Sequence, residues 1–185
     1  MRKRKEAPVR RGAWRVLRVR AAAGDRRRGW LIAGSLALPA ALGRAGIKAN
    51  KREGDGATPR GRFRLKRLWW RPDRAPRPRT LLPVQPIAPD LGWCEDPGDR
   101  RYNRPVRLAP GAGGDRMWRE DHLYDFVIEL DHNTRPRIAG RGSAVFVHVA
   151  RPGLRPTAGC VALAAGSLRH LLVRAHPATE IEIHS

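Results

Sequence analysis

The segment SAVFVHVARPGLRPTAGCVALA, residues 143–164, sets one histidine, His148, in an apolar run and one cysteine, Cys160, twelve residues later. A thiol beside an imidazole can lose its proton and become a strong nucleophile. The small residues of PTAGC let the backbone turn sharply before the thiol. The amides of Gly159 and Cys160 could then face the oxygen of an attacked carbonyl as an oxyanion hole. No aspartate lies close in sequence to complete a triad, so a backbone carbonyl or Thr157 would have to orient the imidazole. The competing reading is structural: free cysteines and strand histidines are often simply buried.

These side chains need rigid elements to hold them. VFVH reads as a buried strand, and RPGLRPT as the loop that returns the chain beside it. AWRVLRVRA alternates apolar and basic residues as a half-buried strand does. GWLIAGSLALPAALG reads as two apolar strands broken at Gly34 and Pro39. RGRFRLKRLWW alternates Phe63, Leu65 and then Arg67 against basic neighbours. LYDFVIELD and TEIEIHS read as strands, and VALAAGSLRHLLVRA switches to helical spacing with Leu168, Leu171 and Leu172 on one face. The prolines of RPDRAPRPRTLLPVQPIAPD exclude a long helix there. Residues 91–122 read as polar and turn-rich, LDHNTRPR as a hairpin exposing His132. The expectation is a mainly β sandwich-like or barrel-like domain over 13–185 with one or two short helices, preceded by a flexible basic tail over 1–12.

The 185 residues carry a formal net charge of +21, and only five of the 38 basic residues are lysines. Such a chain attracts polyanions. Aromatic residues interleave with basic ones only in RLKRLWWRP, which argues against specific nucleic-acid binding. A basic polymer-binding β domain with an inert His148 and Cys160 is the non-enzymatic alternative. Two cysteines make no disulfide framework or zinc motif. Cys94, in LGWCEDPGD, reads as an incidental thiol in a turn, although a Cys94–Cys160 disulfide would silence Cys160. The run RRRGWLIAGSLALPAALGRAG is too late for a signal peptide and too short for a membrane span, so neither is expected.

His148 followed by Thr157-Ala158-Gly159-Cys160 resembles the L,D-transpeptidase (YkuD-like) catalytic domain, whose signature is His, a variable loop, then Ser/Thr-His-Gly-Cys. EGDGATPRGRFRL resembles that family's TP-x-G-x-F segment through Thr58, Pro59, Gly61 and Phe63. GRGSAVFVHVARP resembles the strand that delivers the histidine. The likeness runs from about Trp14 to the C-terminus. Three positions depart from the pattern: Ala158 replaces a histidine, Ala162 an arginine, and Val149 a frequent glycine.

The resemblance implies acyl transfer on peptidoglycan stem peptides, with Cys160 as nucleophile, His148 as general base and acid, and no metal or organic cofactor. Carbapenems would be covalent inhibitors, the protein a monomer, and its place of action the periplasm or cell envelope, with the cytoplasm as the alternative because no signal peptide is read. With Ala162 in the arginine's place, Arg141, Arg151 or Arg155 would hold the substrate carboxylate. Tyr102, Asn103, Trp118, Asp121, His122 and Tyr124 could line a groove, or pack as a loop over the sheet. Transpeptidase, L,D-carboxypeptidase and exchange activity differ only in whether a stem amine, water or a free D-amino acid reaches the thioester, and all three stay open.

Overall fold

Alternation in the first half of the chain becomes strand pairing in the computed structural model, which describes residues 12–109 and 115–184. The expected basic tail therefore lies, apart from Gly12, outside the described residues. The strands are β1 (Val16–Ala22), β2 (Asp25–Ala33), β3 (Leu36–Ala41), β4 (Ile47–Lys48), β5 (Thr58–Pro59), β6 (Gly61–Trp70) and β7 (Val84–Pro86). They continue as β8 (Leu91–Cys94), β9 (Arg104–Arg107), β10 (Asp115–Arg116), β11 (Phe126–Leu130), β12 (Phe146–Val149), β13 (Val161–Leu163) and β14 (Glu180–His184). The one α-helix among the described residues, α1 (Ala165–Leu172), connects β13 to β14.

In β1, Leu17 and Val19 are buried while Arg18 and Arg20 face water. The main sheet runs β11-β12-β13-β3-β2-β1-β14-β6-β7, and β6 also pairs with β11. That last pairing closes eight strands into a barrel, leaving β7 as an extra strand on β6. Closure removes the exposed edges that an open sheet would present. Leu17, Leu31, Leu65, Leu68, Ile128, Val147, Val161 and Ile181 fill the interior together with Leu168, Leu171 and Leu172 of α1. Full burial of each leucine contributes about 2 kcal/mol.

Two strand expectations change in detail. Pro39 does not break its strand but lies within β3, opposite Trp30. β13 reaches only Ala40 and Ala41 of β3, so Pro39 sits where one edge is unpaired and no N–H is required. In β6 the burial switches from Leu65 to Leu68, not to Arg67. A register shift against β11, with Leu130 opposite Leu65 and Glu129 opposite Arg67, inserts one residue there. The shift sends Lys66 and Arg67 to the buried Glu129 carboxylate.

Residues 91–122 hold more structure than their polarity suggests. β8 is flanked by β9 and β10 in a small three-stranded sheet. Leu91 and Trp93 of β8, with Ile87 and Met117, pack on Trp69, Val127 and Phe146 of the barrel wall as a second core. Trp93 meets Phe146 edge to face at 5.0 Å. Cys94 is therefore a buried strand residue, not a thiol in a turn. His132 is half-buried rather than exposed, edge-on to Phe63 at 5.3 Å, and its Nε2 donates to the Arg141 carbonyl at 3.0 Å.

Candidate active site

β12 is buried on both faces, which is why its sequence shows an unbroken apolar run instead of alternation. Val147 and Val149 face the barrel interior, and Phe146 faces the second core. The period of two puts His148 on the Phe146 side. β13 runs parallel to β12 with Ala162 opposite His148. Cys160, two residues before Ala162, therefore falls on the same side, and it packs with Phe146 in the second core. His148, Cys160 and Ala162 open into one cavity of about 500 Å³ between the barrel wall and the small sheet.

The imidazole is oriented by a backbone carbonyl. His148 Nδ1 donates to Val149 O at 2.8 Å, which leaves the Nε2 lone pair as the proton acceptor. Tyr124 meets the ring edge to face at 5.5 Å. Thr157 does not orient the imidazole. Its hydroxyl donates to the Cys160 carbonyl at 2.7 Å and accepts from Gly159 N–H at 3.1 Å, fixing the turn that carries the thiol. Thr58 gives the TP segment a physical role. Fully buried, its hydroxyl accepts from Gly43 N–H at 2.8 Å and reaches the Cys160 carbonyl at 3.4 Å.

Because Gly159 N–H is taken by Thr157, the expected pair of oxyanion donors is reduced, and the Cys160 amide is the member that Thr157 leaves untouched. Gly159 itself is required on two counts. Its φ is +148, and a Cβ there would lie 2.9 Å from the Ala57 carbonyl oxygen.

Burial sets the charge state of the pair. It lowers His148 to about 4 and pushes the Cys160 thiol up to about 12, with Asp115 and Glu95 adding to the latter. Thiol and imidazole are thus both neutral at rest, and the thiol donates to the Ala144 carbonyl at 3.2 Å. Both cysteines are free, so no Cys94–Cys160 disulfide forms in this structure.

The arginine alternatives separate cleanly. Arg151 and Arg155, exposed on the β12–β13 loop, line the cavity, and Arg44 of the β3–β4 loop joins them. Arg141 does not line it; its carbonyl serves His132. Tyr124 lines the cavity and donates to Asp115 Oδ2 at 3.0 Å. Tyr102 and Asn103 are buried packing residues: Asn103 Oδ1 accepts from Trp93 Nε1 at 3.0 Å, and Tyr102 donates to Glu53. Trp118 is covered by the Arg71 guanidinium at 3.7 Å.

Sequence reasoning did not find Arg44, Lys51, Glu53, Glu95, Asp115 and Arg119, which also line the cavity. They come from well-separated segments and form no local motif.

No curated protein and no solved structure matches the chain. A family profile does: that of the YkuD L,D-transpeptidase catalytic domain, over residues 17–183. The match spans nearly the whole chain, and the protein belongs to the L,D-transpeptidase (YkuD) family, whose activity is of the peptidoglycan-related transpeptidase type.

Proposed function

We propose that the protein is a cysteine acyltransferase acting on peptidoglycan stem peptides in the cell envelope, as a monomer, through a thioester at Cys160. The observation that carries this reading is the shared cavity of Cys160 and His148, with His148 Nδ1 held on Val149 O and Nε2 left free.

The donor stem binds with its terminal carboxylate toward Arg44, Arg151 and Arg155, which take the part of the arginine absent at Ala162. Because both groups are neutral at rest, the proton moves as the bond forms. The thiol proton passes to His148 Nε2 while sulfur attacks the carbonyl preceding the terminal D-alanine. The Cys160 amide faces the developing oxyanion. His148 then protonates the departing amine, D-alanine leaves, and the thioester remains. An amine from a second stem gives a cross-link, and water gives carboxypeptidase activity.

A carbapenem, which mimics the acylating end of the stem, is expected to add one covalent adduct on Cys160, read by mass spectrometry of the peptide that contains it. An unmodified Cys160 in folded protein would count decisively against the thioester. Cys160→Ala should abolish turnover and Cys94→Ala should preserve it; the reverse pattern would show the nucleophile misassigned.

A further inference from the structure

The cavity is electrically two-sided. Arg44, Arg151 and Arg155 come from loops of the barrel, whereas Glu53, Glu95 and Asp115 approach from the 49–57 loop and the small sheet. The cations nearest the acidic side are already engaged. Lys51 Nζ pairs with Asp55 at 2.6 Å, and Arg119 pairs with Asp121 at 2.8 Å, reaching Asp115 only at 3.7 Å. Three carboxylates thus remain beside the thiol with less positive charge than their number calls for.

A second feature of the same wall points to a ligand. Ser143 lines the cavity at 7% exposure, and its Oγ accepts no hydrogen bond. The Tyr102 hydroxyl beside it donates to Glu53 and accepts the Ser143 hydroxyl proton in return. The lone pairs of the Ser143 hydroxyl are thus left free for a donor, and an alkylammonium brings three. The titration of the wall agrees. Glu95 is pushed up to about 7, first by the atoms crowded around it and then by Asp115 and Glu53, though its side chain still reaches solvent. Asp115 is pushed up mainly by burial, with Tyr124 and Arg119 opposing.

We propose that this wall is the subsite of the incoming amine: Glu53, Asp115 and Ser143 hold the ammonium of the acyl acceptor beside the thioester, and Glu95 takes its first proton. The inference rests on the acyl-enzyme reading above. An ammonium has no lone pair, so one proton must leave before nitrogen can attack. That proton goes to the Glu95 carboxylate and from there to water. The C–N bond forms and the C–S bond breaks. The second proton passes from nitrogen to His148 Nε2 and on to the departing Cys160 sulfur, which regenerates the thiol. A wall that concentrates ammonium at the thioester favours aminolysis over hydrolysis, so cross-linking or amine exchange is the main outcome.

The test uses the full chain, a tetrapeptide stem as donor, and glycinamide, a cation without a carboxylate, as acceptor at neutral pH. Glu95→Gln should lower the ratio of amide to hydrolysed product at least tenfold. Both products arise from one thioester, so the ratio does not depend on how fast that thioester forms. An unchanged ratio overturns the proposal. A second measurement needs no turnover: glycinamide should change the rate of Cys160 alkylation by iodoacetamide saturably and at least threefold. N-acetylglycinamide, which is uncharged, should not, and Glu95→Gln should abolish the effect. Absence of a glycinamide effect in the wild type overturns the subsite even where a carbapenem acylates Cys160. Failure of the carbapenem alone sinks the thioester reading, while a glycinamide effect lost in Glu95→Gln still supports the cation subsite.

Discussion

The Cys160 thiol donates to the carbonyl of Ala144 across 3.2 Å, and Ala144 holds the left-handed conformation, with φ of 49°. A non-glycine residue in that region costs roughly 1–2 kcal/mol. Asn103 offsets the cost: its Oδ1 accepts from Ala144 N–H at 3.2 Å, while its Nδ2 donates to the carbonyls of His132 at 3.1 Å and Asn133 at 2.9 Å. The resting position of the Cys160 thiol is thus secured by an amide more than fifty residues away in sequence.

Asn103→Ala leaves Ala144 N–H and Trp93 Nε1 without their acceptor in a buried setting. We expect a loss of about 2 kcal/mol in unfolding free energy. A reduced rate of Cys160 acylation by carbapenem should accompany it at temperatures where the variant remains folded. Denaturant melts and stopped-flow acylation measure the two effects separately, and acylation equal to wild type would remove Asn103 from the site.

The neutral pair gives stability a defined pH window. Folded His148 titrates near 4 instead of 6.5, so below 6.5 the unfolded chain binds the extra proton and stability falls as pH drops toward 4. Folded Cys160 titrates near 12 instead of 9, so stability also falls as pH rises from 9 toward 12. Glu95, raised to about 7, acts oppositely on the acid side, gaining stability as pH falls. The comparison must therefore be wild type against His148→Asn. The variant should show a shallower acid limb, by about 3 kcal/mol at its extreme, in urea melts taken between pH 4 and 7. Parallel limbs would mean that His148 is not buried as a neutral base.

Arg151 and Arg155 line the cavity and make no close ion pair among the described residues, Arg151 acting on Asp121 only from a distance. Arg155→Ala should raise KM for a stem donor with a free terminal carboxylate about fivefold, in line with one exposed charge-assisted contact. A donor amidated at that end should be insensitive. Arg141→Ala, outside the cavity, serves as the control. A KM change at Arg141 and none at Arg155 would reverse the assignment.

Gly159→Ala forces a Cβ to within 2.9 Å of the Ala57 carbonyl and a backbone angle that alanine rarely adopts. Displacement of the turn should cost at least tenfold in acylation rate. Thr157→Val, which removes the hydroxyl joining Gly159 N–H to the Cys160 carbonyl, should act in the same direction through the same turn. Normal acylation in both variants would show that the turn does not need this geometry.

Much of the barrel was legible in the sequence because its strands carry their burial pattern locally: EIEIH in β14, VLRVRAA in β1 and the leucine spacing of α1. β8, β9 and β10 were not, since strands of two to four residues are too short to display a period. Their burial comes from resting on Trp69 and Phe146, a tertiary fact. The bulge in β6 was equally silent, because it is defined by the partner strand. His148 and Cys160 could be singled out because one short loop joins them. Glu53, Glu95 and Asp115 could not, because forty-two and twenty residues separate them and only the fold assembles them.

β12 is a party wall. Val147 looks into the barrel and His148 into the cavity, on a strand with no face toward water. Housekeeping and chemistry therefore have no independent address in this protein. A substitution chosen to repack the barrel at Val147 would reach the cavity as well as the melting temperature. Conversely, the small sheet rests against that wall from outside, so exchanging it for another cap would alter what the cavity admits without rebuilding the barrel that holds His148.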